Sequence, residues 1–139
     1  MNDTPPRILL AEDEASIVAS LTFLLGRAGF AVEVEPNGER AVGRALAMPP
    51  AVMLLDVMLP GIDGFEALRR LRAEPVTRAL PVVMLTAKGQ REDRETALRL
   101  GASDFITKPF ANAEVVETVR RLAGMAPVDA PAGATRAGP

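Results

Sequence analysis

The chain is predicted to fold as a doubly wound α/β domain: five parallel strands in one sheet, with helices on both faces. Two observations carry this. Short apolar runs alternate five times with segments of helical periodicity along the 139 residues. The runs for the first, third and fourth strands are continuously apolar, as central parallel strands buried on both sides must be.

RILLAED, residues 7–13, is an apolar run ending in acids and fits a buried strand. From Glu14 the pattern turns helical, with Ile17, Leu21, Leu24, Leu25 and Ala28 recurring at three- and four-residue steps until Gly29 supplies a stop. FAVEVE, 30–35, alternates as a strand, PNG makes a turn, and a second helix over 38–47 ends before Pro49 and Pro50. AVMLLDV, 51–57, is the third strand, followed by a helix near 64–73. LPVVMLTA, 80–87, is the fourth, followed by a helix near 88–100 that Gly101 closes. SDFIT, 103–107, is a short fifth strand, and ANAEVVETVRRLAG, 111–124, supplies the last helix. Beyond Gly124 the stretch APVDAPAGATRAGP has almost nothing to bury and is expected to be a flexible tail or linker. The expected organisation is therefore an N-terminal tail (1–6), one domain (7–123) and a C-terminal tail (124–139).

Composition narrows the chemistry. There are no cysteines, which excludes disulfides and thiolate metal sites, and no histidines, which excludes Ser-His and Cys-His catalysis, imidazole ligands and a phosphohistidine carrier role. Carboxylates, hydroxyls, two lysines or a bound ion remain. A net charge of -2 and a pI near 5.2 give no whole-chain reason to expect direct nucleic-acid binding. No apolar run approaches membrane-spanning length and MNDTPPR lacks the features of a signal peptide, so the expectation is a cytoplasmic protein without membrane contact.

MLLDVMLPGIDG, 53–64, sets a lone aspartate at the end of an apolar run. A carboxylate there loses hydration on folding unless a cation or donors replace the water, so Asp56 is either a turn residue open to solvent or a site. Ligands of open parallel sheets bind outside the carboxyl ends of the strands. Glu12 and Asp13 end the first strand, Asp56 the third and Thr86 the fourth, while the fifth runs into Lys108 and Pro109. Singly, Glu12 and Asp13 could cap a helix, Thr86 could be a turn hydroxyl and Lys108 a surface charge. Together on one edge they point to a site for Asp56. Three converging carboxylates call for a hard divalent cation, with Mg2+ the natural candidate. Lys108 can pair with Asp56, Thr86 can donate to a phosphoryl oxygen, and a carboxylate is the available nucleophile.

In this order the residues resemble the receiver domain of two-component response regulators, through AEDE (11–14), LLDVMLPGIDGFE (54–66), PVVMLTA (81–87) and GASDFITKPF (101–110). The resemblance covers Arg7 to about Leu122. It implies the (βα)5 flavodoxin-like, CheY-like fold and a signalling domain that catalyses only its own phosphorylation and dephosphorylation. Asp56 would accept a phosphoryl group from a sensor histidine kinase or histidine phosphotransfer protein. Glu12, Asp13, Asp56 and the backbone carbonyl of Met58 would hold Mg2+, Lys108 and Thr86 would contact the phosphoryl oxygens, and the Lys108–Pro109 peptide would be cis. The family's switch would pair Thr86 with Phe105, which has no hydroxyl for a polar contact in the active state. Met58 and Lys88 would flank the site and tune the phosphoryl lifetime.

The second half is most similar to receivers that dimerise through the fourth helix, fifth strand and fifth helix to pair winged-helix DNA-binding domains. Arg94, Leu98, Asp104 and Glu114 fall on that face, with Arg94 and Glu114 as an ion pair. Glu95 stands where an apolar contact is usual, and Thr118 where the fifth helix usually carries a basic partner for Asp104. The homodimer is accordingly expected to be weak or phosphorylation-dependent. The output would pass to a downstream protein partner, or to an effector domain if the chain is a receiver cut from a longer regulator. Two rivals are a Mg2+-dependent phosphatase with an aspartate nucleophile and a pseudo-receiver that binds partners without phosphorylation. The first would need a second aspartate at the position of Met58; the second is at odds with five intact site residues.

Overall fold

The computed structural model describes residues 4–87 and 91–124. Their order is β1 (Arg7–Ala11), α1 (Ala15–Arg27), β2 (Ala31–Glu35), α2 (Gly38–Ala47), β3 (Val52–Asp56), α3 (Gly64–Ala73), β4 (Val82–Ala87), α4 (Arg91–Arg99), β5 (Asp104–Lys108) and α5 (Asn112–Leu122). The strands form one parallel sheet in the order β2-β1-β3-β4-β5. Every expected element is present, with ends displaced by a few residues. The ladder of β1 stops at Ala11, paired with Glu35 on one side and Leu55 on the other, so Glu12 and Asp13 lie in the loop beyond the strand rather than in it. β4 runs one residue past Thr86, and β5 starts and ends one residue later than expected. Lys88 and the tail from residue 125 onward lie outside the described residues.

The sheet order explains the apolar runs. Along β3 the side chains alternate between two cores: Val52 and Leu54 pack with Leu21 and Leu25 of α1 and Val115 and Val119 of α5, whereas Met53 and Leu55 pack with residues of α2, α3 and α4. All five residues of β3 are buried, which only a strand covered on both faces requires. β2, at one edge, needs less. Its Glu33 pairs with Arg7 and Arg44, while the buried Glu35 accepts from the Asn37 N–H, Arg40 and Arg44. Burial pushes the Glu35 carboxyl up, but those donors outweigh it and hold its pKa below the usual range.

Helix ends follow the sequence closely. Asn37 and Asp63 cap α2 and α3 by accepting from the N–H groups of Arg40 and Glu66, at 3.0 and 2.9 Å. Gly29 and Gly101 have φ of 104° and 100°, and each closes its helix with a paired set of bonds. After α1 these are Gly29 N–H to Gly26 O and Phe30 N–H to Leu25 O; after α4, Gly101 N–H to Leu98 O and Ala102 N–H to Ala97 O.

Because β1 and β3 are neighbours while the chain leaves them in opposite directions across the sheet, their carboxyl ends flank the reversal of winding. The turn after β3 is held closed there. Gly64 N–H donates to Val57 O at 2.8 Å, and a Cβ on Gly64 would stand 2.3 Å from the carbonyl oxygen of Asp56. We predict that Gly64→Ala lowers stability by about 1–3 kcal/mol, read as a reduced urea midpoint, because the backbone of Asp56 must shift to admit the methyl group. An unchanged midpoint would show that the loop relaxes freely.

Candidate functional site

Three acids meet at the reversal point. Glu12 is wholly buried, Asp56 is 5% exposed and Asp13 is open to solvent, and one carboxylate oxygen from each lies within 4.8 Å of the others. Lys108, the last residue of β5, reaches across β4 to join them. Its Nζ is 3.2 Å from Asp56 Oδ2 and 3.2 Å from Glu12 Oε1. Ala87 of β4 stands in register with Lys108. The Lys108–Pro109 peptide is cis, as expected.

Each acid is held by a local device. Glu12 Oε2 accepts from the Glu14 N–H at 3.1 Å, at the start of α1, and Asp56 Oδ1 accepts from the Met58 N–H at 3.3 Å. Burial pushes the Glu12 carboxyl up to about 7; the Glu14 N–H opposes the rise, the Asp56 charge adds to it, and Lys108 counters. Burial alone would lower Lys108, but the charges of Asp56 and Glu12 raise its pKa further, so it stays an ammonium.

The donor set fits a hard divalent cation. Three carboxylates against one ammonium sum to −3 + 1 = −2 when all are ionised, which one such ion neutralises. Glu12 Oε1 is buried with the ammonium as ion-pair partner but no well-directed hydrogen bond, which leaves a lone pair for further coordination. Glu12, Asp13 and Asp56 are the residues that would hold Mg2+. The lysine–glutamate contact was not foreseen, whereas the bond from the Glu14 N–H is the helix-start role offered for Glu12 as an alternative to the site; Glu12 fills both.

Thr86 is 2% exposed, in register with Thr107. Met58, 74% exposed, offers no acid beside Asp56. On the surface of α4, β5 and α5, Arg94, Leu98 and Glu114 are exposed. Two of the residues expected on that face have partners within the chain. The Arg94 guanidinium lies over the Phe105 ring, 4.3 Å from its centroid. Arg121 Nη2 lies 2.7 Å from Asp104 Oδ2. The expectation that Asp104 lacks a basic partner is thus corrected: Thr118 is buried against the core, and Arg121, three residues along the same helix, supplies the charge.

Residues 8–120 match the family model described as the response regulator receiver domain. The phosphate regulon transcriptional regulatory protein PhoB of Escherichia coli strain K12 is 43% identical over 124 residues, covering 86% of this chain and 54% of that protein. The chain spans about half the length of the curated relatives it matches. Among solved structures, the receiver domain of sensor histidine kinase PA1611 from Pseudomonas aeruginosa PAO1, which has a magnesium ion coordinated in its active site cleft, superposes with a TM-score of 0.81 at 33% identity, covering 87% of this chain and 99% of that one. Chemotaxis response regulator CheY4 of Vibrio cholerae gives a TM-score of 0.79 at 28% identity, with 86% of this chain and 99% of that one covered. Among the described residues no helix is long and apolar enough to cross a membrane.

A raised carboxyl pKa has a defined sign. Between the ordinary Glu value near 4.5 and about 7, the folded protein binds the Glu12 proton more tightly than the unfolded chain does. The contribution of Glu12 to the stability of metal-free protein should therefore be fullest below the lower value, with on the order of 2 kcal/mol lost as pH rises through the upper one. Unfolding free energies measured in chelator from pH 5 to 8 test this, and the loss should vanish in Glu12→Gln. A flat profile in the parent chain would contradict it.

Proposed function

The chain belongs to the response regulator receiver family, and from that premise we propose that it is a phosphorylation-switched signalling domain whose phosphoacceptor is Asp56. The convergence of Glu12, Asp13 and Asp56 with the Lys108 ammonium carries this reading. An aspartate carboxylate can attack phosphorus without a base, and no histidine exists to provide one. The Oδ–P bond forms as the bond from phosphorus to the donor's leaving group breaks, and the leaving group takes the electron pair. With a phosphohistidine donor that group is the imidazole nitrogen of a sensor kinase or phosphotransfer protein; with acetyl phosphate it is acetate. The product is a mixed anhydride, and attack by water returns Asp56 and inorganic phosphate.

Lys108 places its charge beside the accepting carboxylate, so an ammonium already faces the phosphoryl group when it arrives. Thr86, buried at the neighbouring strand end, supplies a hydroxyl for a phosphoryl oxygen, and Glu12 and Asp13 would hold Mg2+ together with Asp56 and the Met58 carbonyl. Bound there, Mg2+ supplies positive charge that offsets the phosphoryl oxygens against the carboxylates. Met58 where a phosphatase would carry its second aspartate argues against turnover of an external substrate. The output surface is the face of α4, β5 and α5, which meets a downstream partner or effector domain, or a second copy in a weak, phosphorylation-dependent dimer. Leu98, 49% exposed on that face, is its apolar contact.

Incubated with acetyl phosphate and Mg2+, the protein should gain one phosphoryl adduct by intact mass, and none in chelator or as Asp56→Asn. A folded parent chain that takes no adduct, or an Asp56→Asn variant that takes one equally, would overturn the reading. Leu98→Asp should leave the adduct intact and abolish phosphorylation-dependent association measured by sedimentation. Unchanged association would place the output surface elsewhere.

A further inference from the structure

Phe105 has no hydroxyl, so no hydrogen bond fixes where its ring rests. The register sets its alternatives. Thr86 pairs with Thr107 and Met84 with Phe105, and paired residues of parallel strands share a face, as do residues two apart along a strand. Thr86 and Phe105 therefore stand on the same side of the sheet, the side covered by α4, whose Ala97 is buried in the core that Phe105 partly joins. In this structure the ring is half-buried and lies under the guanidinium of Arg94, 4.3 Å from ring centroid to guanidinium carbon. That separation is well inside the range in which a cation is drawn to an aromatic face.

We propose that Arg94 is a positioning residue that latches the resting state: its stack on Phe105 holds the ring beneath α4, against the inward movement that the family resemblance implies for the phosphorylated state. The inference rests on the phosphoacceptor reading and adds to it the group that opposes the switch. Asp104, the residue before the ring, is held from the other side by Arg121, so the segment is tied to α5 while the ring is tied to α4. Only the second tie bears on the ring itself. A phosphoryl group favouring the inward ring must break the stack, and the stack correspondingly weakens the site's hold on a phosphoryl mimic.

The test titrates beryllium trifluoride into the full chain at saturating Mg2+, for the parent protein, Arg94→Gln, Phe105→Leu and the double variant. Exposed cation–π contacts imply that Arg94→Gln binds the mimic about two- to fivefold more tightly. In the Phe105→Leu background the same substitution should change nothing, which separates a latch from a long-range effect of the arginine charge. The Arg94 side-chain protons should also resonate upfield in the resting protein, from the ring's current, and return to ordinary positions at saturation. Equal affinity of parent and Arg94→Gln, an equal gain in the Phe105→Leu background, or an upfield shift that survives saturation would each overturn the latch alone. A folded parent that takes no mimic at all would overturn the phosphoacceptor reading and the latch with it.

Discussion

Two acids buried at the end of a sheet can both ionise only with positive charge between them, and here one lysine from the far edge of the sheet provides it. An unpaired buried ion costs several kcal/mol, against a total folding stability of about 5–15 kcal/mol for a domain of this kind. Lys108 lies 3.2 Å from both Glu12 and Asp56, which turns a repulsive pair into a bridged one. The rest of the architecture serves that meeting. The reversal of winding brings the ends of β1 and β3 together, and β5 ends on the lysine. One ammonium is not enough for three carboxylates, and the remaining negative charge is the reason the site suits a divalent cation.

The same incomplete neutralisation separates the parts of the molecule that hold shape from the parts that respond. Glu35 is about as buried as Asp56, yet Arg40, Arg44 and the Asn37 N–H satisfy it fully, and its carboxyl stays below the ordinary range. Glu12, with one ammonium shared and one oxygen lacking a hydrogen bond, is driven the other way. A saturated carboxylate pins α2 to the edge of the sheet. An under-satisfied one is ready to gain a ligand.

Most of this was legible in the residues. Strands buried on both faces show as unbroken apolar runs, so β1, β3 and β4 were plain, and glycines at left-handed positions marked the ends of α1 and α4. The acids and lysine fell on one edge because strand ends can be placed to within a residue or two, which is all such a cluster needs. Contacts made by long side chains were not legible. The arginine that serves Asp104 sits three residues from the position where it was sought, on a helix whose Val115, Thr118 and Val119 are turned into the core. Arg94 was expected to face a second copy, and its stack on Phe105 depends on how α4 lies against β5, which strand and helix periodicity do not specify.

The central claim is that the carboxylate of Asp56, and neither of its acidic neighbours, takes the phosphoryl group. Borohydride reduces an aspartyl phosphate to homoserine, so reductive trapping of the phosphorylated protein followed by peptide sequencing locates the anhydride directly. The account predicts homoserine at position 56 alone. Reduction at Asp13 or Glu12, or a phosphoryl group that resists borohydride because it sits on a hydroxyl, would contradict it.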